Sequence, residues 1–242
     1  MKRIVLTLLI ALTANTLSAT IGTVIKDTIT NVPCRVYLPA DVIQVDGEWK
    51  VDDVPVLYLQ HGMWGDEHDW TVKGDLLHLL DSMQQLYGIQ DRIIIMPDNC
   101  PHRPTSEEER ANATSGYWEQ HFHEFMAEVE SRYPVSQKPA KRAIAGLSMG
   151  GYHTMRVSAL LDGEFAYIGM FSPATMVHEV AHNYKLLWIA IGTEDFLYQS
   201  LQEYLRWLDE QSAPYTYYET GDGHVWPNWQ DYLCRFLIAI EQ

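Results

Sequence analysis

Short, almost wholly apolar runs alternate along this chain with longer stretches whose apolar positions recur at helical spacing. The short runs are Val54–Leu59, Arg92–Met96, Arg142–Ala145, Tyr167–Phe171 and Leu186–Ile191. Strands covered by helices on both faces look like this, because neither face meets water and no polar alternation survives. Between them, Asp75–Tyr87 carries Leu76, Leu79, Leu80 and Met83, and Tyr117–Arg132 carries Phe122, Phe125, Met126 and Val129, each set lying on one helical face. Helices also fit Met149–Leu161, Tyr198–Gln211 and Trp229–Ile240, and Tyr215–Thr220 reads as a last strand. Strand followed by helix, several times over, predicts an α/β fold with a mostly parallel, doubly wound sheet and helices on both faces. Thr23–Thr30 and Arg35–Leu38 alternate more and predict antiparallel edge strands. With no repeat or linker in sight, residues 20–242 read as a single domain.

The first 19 residues read as an address. Lys2 and Arg3 precede the apolar stretch Ile4–Leu12, and Leu17-Ser18-Ala19 offers a small-residue exit, the layout of a cleaved export signal. Thr13, Asn15 and Thr16 break the run short of the roughly 20 apolar residues a membrane span needs. The expectation is a secreted or periplasmic protein with no stable membrane insertion after cleavage. The 17 basic and 32 acidic residues give a net charge of −15. Loss of Lys2 and Arg3 with the signal makes it −17, a poor match for phosphate, so nucleic acid is excluded as a partner. Cys34, Cys100 and Cys234 form no CxxC pair. One disulfide and three small buried hydrophobes are equally good readings. Oligomeric state is not legible.

Pro97–Ser115 fits neither pattern. Its prolines, the run Glu107-Glu108-Glu109 and the sequon at Asn112 describe a long irregular loop after a strand's C-terminal end, where open α/β sheets take ligands. The acidic triplet reads as a solvated face.

The strongest chemical signal is Gly146-Leu147-Ser148-Met149-Gly150, a G-x-S-x-G between a strand and a helix. A serine in so sharp a turn has its hydroxyl lifted above the sheet edge, with the amide of the next residue, Met149, aimed at a developing oxyanion. Such a nucleophile needs a base and an orienting acid, which α/β-hydrolases supply in the order Ser, Asp or Glu, His. Of the downstream histidines, His153 lies on the helix just after the serine and points away. His178 and His182 are spaced i, i+4 without a third metal ligand and read as a solvated helix face, so no metal is expected. His224, in the loop Gly221-Asp222-Gly223-His224 after the last strand, is the candidate base. Asp195, leaving Leu186–Ile191 through Gly192-Thr193-Glu194, is the candidate acid, ahead of Glu194 and Asp222. The second oxyanion amide falls to Met63, in His61-Gly62-Met63-Trp64 after an early strand, with His61 in a positioning role. The chemistry is two-step acyl transfer without a cofactor.

Taken together, His61-Gly62-Met63-Trp64-Gly65-Asp66-Glu67 with Trp70, Met96-Pro97-Asp98-Asn99, Gly146–Gly151, Gly192–Asp195 and Gly223-His224-Val225-Trp226 with Trp229 resemble the esterase D-like group, carbohydrate esterase family 1. That group contains feruloyl and acetyl xylan esterases, S-formylglutathione hydrolases and mycolyl acyltransferases. The resemblance implies an α/β-hydrolase acting on small-molecule or oligosaccharide esters through Ser148, Asp195 and His224. An acyltransferase and a non-catalytic carbohydrate-binding protein are the alternatives. Trp64, Trp70 and Trp226, with Trp229, are candidates for lining an aromatic acyl pocket. Where the family's HGxGG stretch has a further glycine, this chain has Trp64, a change that reshapes the acyl side.

Overall fold

The computed structural model describes residues 22–99 and 116–242. The expected export signal, Cys100, Asn112 and nearly all of the Pro97–Ser115 loop lie outside the described residues. Among the described residues ten strands are formed: β1 (Thr23–Ile29), β2 (Val32–Leu38), β3 (Gln44–Val45), β4 (Glu48–Trp49), β5 (Val56–Gln60), β6 (Ile93–Pro97), β7 (Arg142–Leu147), β8 (Tyr167–Phe171), β9 (Leu186–Gly192) and β10 (Thr216–Thr220). The helices are α1 (Asp69–Val72), α2 (Leu76–Tyr87), α3 (Tyr117–Arg132), α4 (Met149–Leu160), α5 (Tyr198–Glu210) and α6 (Trp226–Ala239).

Eight strands make one sheet in the order β1-β2-β6-β5-β7-β8-β9-β10, and β3 and β4 pair separately as a small hairpin. From β6 to β10 all pairs are parallel, while β1 and β2 are antiparallel additions. This is the expected α/β-hydrolase architecture in a single domain. One detail differs: of the two antiparallel strands only β1 is an edge, and β2 lies inside it against β6.

Side chains of the buried strands alternate between two cores, as a pleat requires. Val56, Tyr58, Ile93, Ile95 and Ile144 face one layer, packed by α3, α4 and α5. Leu57, Leu59, Ile94, Met96, Ala143 and Ala145 face the other, packed by α1, α2 and α6. Because both faces are dry, the strands read as continuous apolar runs. Helix α6 begins three residues before the expected Trp229, because Pro227 in its first turn needs no backbone donor there and carries the helix back to Trp226. The segment with His178 and His182 is irregular and not a helix. His178 packs its ring on Tyr204 and Trp207. Cys34 and Cys234 are free thiols, and burial pushes both above the ordinary thiol range, Cys234 to about 11. Among the described residues no helix is long and apolar enough to cross a membrane.

Candidate active site

All parallel strands end on one side of the sheet, and Ser148, Met63, Asp195 and His224 sit in the turns and loops there. Ser148 follows β7 with φ 55° and ψ −115°, outside the regions open to L-residues at low cost. The strain is held by its surroundings. Its amide donates to Phe171 O at 2.9 Å, and its carbonyl accepts from Ala174 N at 3.0 Å. The turn is tight enough that a Cβ on Gly146 would come 2.5 Å from the Gly150 carbonyl, and one on Gly150 would come 2.4 Å from His61 O. Both positions demand glycine, which is the physical content of the G-x-S-x-G spacing.

Met149 is the first residue of α4, so its amide has no partner in the helix ladder. The loop after β5 passes beside it: a Cβ on Gly62 would lie 3.3 Å from Ser148 Cβ. Met63, next along that loop, is half exposed, and its amide makes no hydrogen bond among the described residues. Three groups fix this loop from below. The His61 ring donates through Nδ1 to Gly62 O at 2.7 Å, and its Nε2 accepts the Asn99 amide at 3.2 Å. Asn99 Nδ2 donates to His61 O at 3.1 Å, and Trp70 Nε1 donates to Gln60 O at 3.1 Å. His61 is thus a positioning group, as expected from its place in the chain.

On the other side of β7, Asp195 follows β9 and His224 follows β10. Asp195 Oδ2 accepts from His224 Nδ1 at 2.8 Å, and Oδ1 accepts the Leu197 amide at 2.9 Å. Burial alone would raise this carboxyl, but the His224 and Leu197 bonds outweigh it and hold Asp195 below its ordinary value. An ionised acceptor requires the proton on Nδ1, which leaves Nε2 of His224 as the basic nitrogen. Neither Glu194 nor Asp222 bonds the imidazole.

A strained serine at the end of β7 thus shares one side of the sheet with an Asp–His pair two loops away. A family model described as "Putative esterase" matches residues 26–240. The chain belongs to this esterase family. An acetyl esterase of Caldicellulosiruptor saccharolyticus is 25% identical, over 85% of this chain and 91% of its own. Among solved structures, a ferulic acid esterase superposes with a TM-score of 0.75 at 21% identity, covering 90% of this chain and 97% of that one. The S-formylglutathione hydrolase of Staphylococcus aureus superposes at 0.71 with 18% identity, covering 91% and 98%. The protein is a carboxylic-ester hydrolase of the α/β-hydrolase fold, and the resemblance to the esterase D-like, carbohydrate esterase family 1 group holds.

The structure divides the four tryptophans between core and surface. Trp70 is only 1% exposed, wedged against Phe171 and Trp226 in the core. Trp229 is buried as well, its ring meeting His224 edge-on at 4.8 Å. Trp70 and Trp229 belong to the inward faces of α1 and α6. Trp64 is different: it is 54% exposed and takes φ 66°, a conformation that favours glycine, at the position where the family has one. Trp226 is half-buried between Trp70 and Trp229.

Two residues that sequence reasoning missed lie against the histidine or its loop. Asn228 Nδ2 donates to Gly221 O and Gly223 O at 3.1 and 3.0 Å, clasping the loop that presents His224. Phe196 lays its ring 4.6 Å from the imidazole. Asn228 gave no signal beyond standing four residues after His224, and Phe196 only its place beside the acid. Asp66, Glu67 and His68 bring ligand-type atoms within 4.8 Å of one another. His68 Nε2, however, accepts from the Arg35 guanidinium, and its Nδ1 lies 3.3 Å from both carboxylates. That network is satisfied by its own charges.

Proposed function

We propose that Ser148, His224 and Asp195 act as a catalytic triad in an exported esterase that removes acyl groups, acetyl or feruloyl, from carbohydrate. The observation that carries this is the 2.8 Å bond from His224 Nδ1 to the buried Asp195, on the same sheet edge as a serine held at φ 55°. His224 Nε2 takes the Ser148 proton as the hydroxyl attacks the ester carbonyl, and Asp195 steadies the imidazolium. The Met149 and Met63 amides stabilise the tetrahedral oxyanion in the acylation and deacylation steps. His224 returns the proton to the departing alcohol, and water then releases the acid from Ser148. The names of its relatives, an acetyl esterase and a ferulic acid esterase, support a carbohydrate ester as substrate. Export rests on residues 1–19 alone.

Hydrolysis of an acetylated xylo-oligosaccharide and of methyl ferulate, with Ser148→Ala as the blank, tests the reading. Release of acetate or ferulate that falls by roughly 10⁴-fold or more in the variant is expected. Equal activity in the variant would remove Ser148 from the mechanism.

A further inference from the structure

The acyl-transfer chemistry has no use for Phe196, and its burial is at odds with its size. It is 75% exposed, the most exposed of the large apolar side chains among the described residues. Its backbone is nonetheless fixed: Asp195 on one side accepts the Leu197 amide through Oδ1 and the Tyr198 amide through its carbonyl, both at 2.9 Å. A phenyl ring held rigidly in water gains little for folding, whereas rigid exposed aromatics gain on covering by a ligand. What would cover it follows from the ring it touches. On the triad reading, on which this inference rests, His224 Nε2 gives its proton to the oxygen of the departing alcohol. That oxygen must come within hydrogen-bond reach of the imidazole. The acyl oxygen faces the opposite way, toward the Met63 and Met149 amides. The body of the alcohol therefore lies beside His224, where Phe196 is 4.6 Å from the imidazole with the planes tilted by 52°.

We propose that Phe196 is the platform for the alcohol half of the substrate and selects a neutral, polyhydroxylated ring such as a pyranose. The C–H face of such a ring is apolar and flat, and its hydroxyls stand at the rim. Glu194 and Asp222 are both exposed and lie in the loops that meet here, joined by the bond from Glu194 N to Asp222 O at 3.0 Å. Neither carboxylate makes a hydrogen bond or ion pair among the described residues. These exposed carboxylates accept rim hydroxyls and repel an alcohol that carries carboxylates of its own.

The test holds the acyl group constant and changes the alcohol. For wild type, Phe196→Ala and Phe196→Trp, kcat/KM is measured on an acetylated xylo-oligosaccharide and on ethyl acetate, and the ratio of the two is the readout. A residue that only supports His224 lowers both rates and leaves the ratio alone. The platform predicts that the ratio falls by roughly tenfold in Phe196→Ala and recovers in Phe196→Trp. A ratio unchanged within about twofold overturns it, as does a wild type that cleaves ethyl acetate but not the sugar ester. A wild type that cleaves neither ester and does not react with a fluorophosphonate at Ser148 overturns the triad reading instead, and this inference with it.

Discussion

This esterase contains two histidine–carboxylate pairs of almost the same geometry in opposite surroundings. His224 Nδ1 stands 2.8 Å from Asp195, and His153 Nδ1 stands 2.9 Å from Glu119. In the first pair the imidazole is 17% exposed and rides on a loop at the sheet edge. In the second both side chains are buried, and they link α3 to α4, the helix whose N-cap is Ser148. Burial tends to raise both carboxyls, and in both the histidine bond contributes to holding them below the ordinary range. A carboxylate-oriented imidazole is therefore no mark of a base. Access is what separates them: the His224 imidazole is partly open to solvent and, on the triad reading, exchanges a proton with substrate, while the buried His153 braces two helices.

Substituting the two histidines should separate these roles. His224→Ala is expected to lower kcat/KM by roughly 10⁴-fold or more while the melting temperature moves little. His153→Ala strands the Glu119 carboxylate, whose Oε2 already lacks a partner. It should cost about 3–5 kcal/mol of stability, with the folded fraction still turning over. Steady-state kinetics beside urea unfolding reads both, and a stable but inactive His153→Ala would reverse the assignment.

Acid sharpens the contrast. Because Glu119 has a lowered carboxyl in the folded chain, the pair favours folding above the ordinary value of 4.5. That share fades as pH falls through the lowered folded value. Glu119→Gln should be less stable than wild type near pH 7, with the gap narrowing toward about pH 3.5. Urea midpoints at the two pH values check it, and a gap that widens in acid would mean that the carboxylate is not the stabilising form.

The smallest effect concerns backbone strain. Trp64→Gly removes a large exposed side chain but relieves φ 66°. Its stability should stay level or rise by up to about 1 kcal/mol. A loss of more than that in thermal unfolding would show that the indole, not the backbone, anchors the loop.

The sheet was legible because burial on both faces writes continuous apolar runs, and Tyr167–Phe171 was read to the residue. The places of Ser148, Asp195 and His224 at strand ends were legible because those turns are punctuated by glycines. The tryptophans were not: spacing tells that Trp70 and Trp64 lie near the site, but not that one points into the core and the other out. Helical spacing also misled at His178 and His182, where the chain after Pro173 runs irregularly. Phe196 was invisible for a related reason, since an apolar residue beside a buried acid reads as core until its exposure is known.

The central claim is that Ser148 is activated by His224 and not by His153. Its most direct measurement is the rate of fluorophosphonate labelling, with the modified residue mapped by peptide mass, in wild type, His224→Ala and His153→Phe. The account predicts label on Ser148 in wild type, at least about a thousandfold slower labelling in His224→Ala, and near wild-type labelling in folded His153→Phe. Label on another residue, or a rate indifferent to His224→Ala, would contradict it.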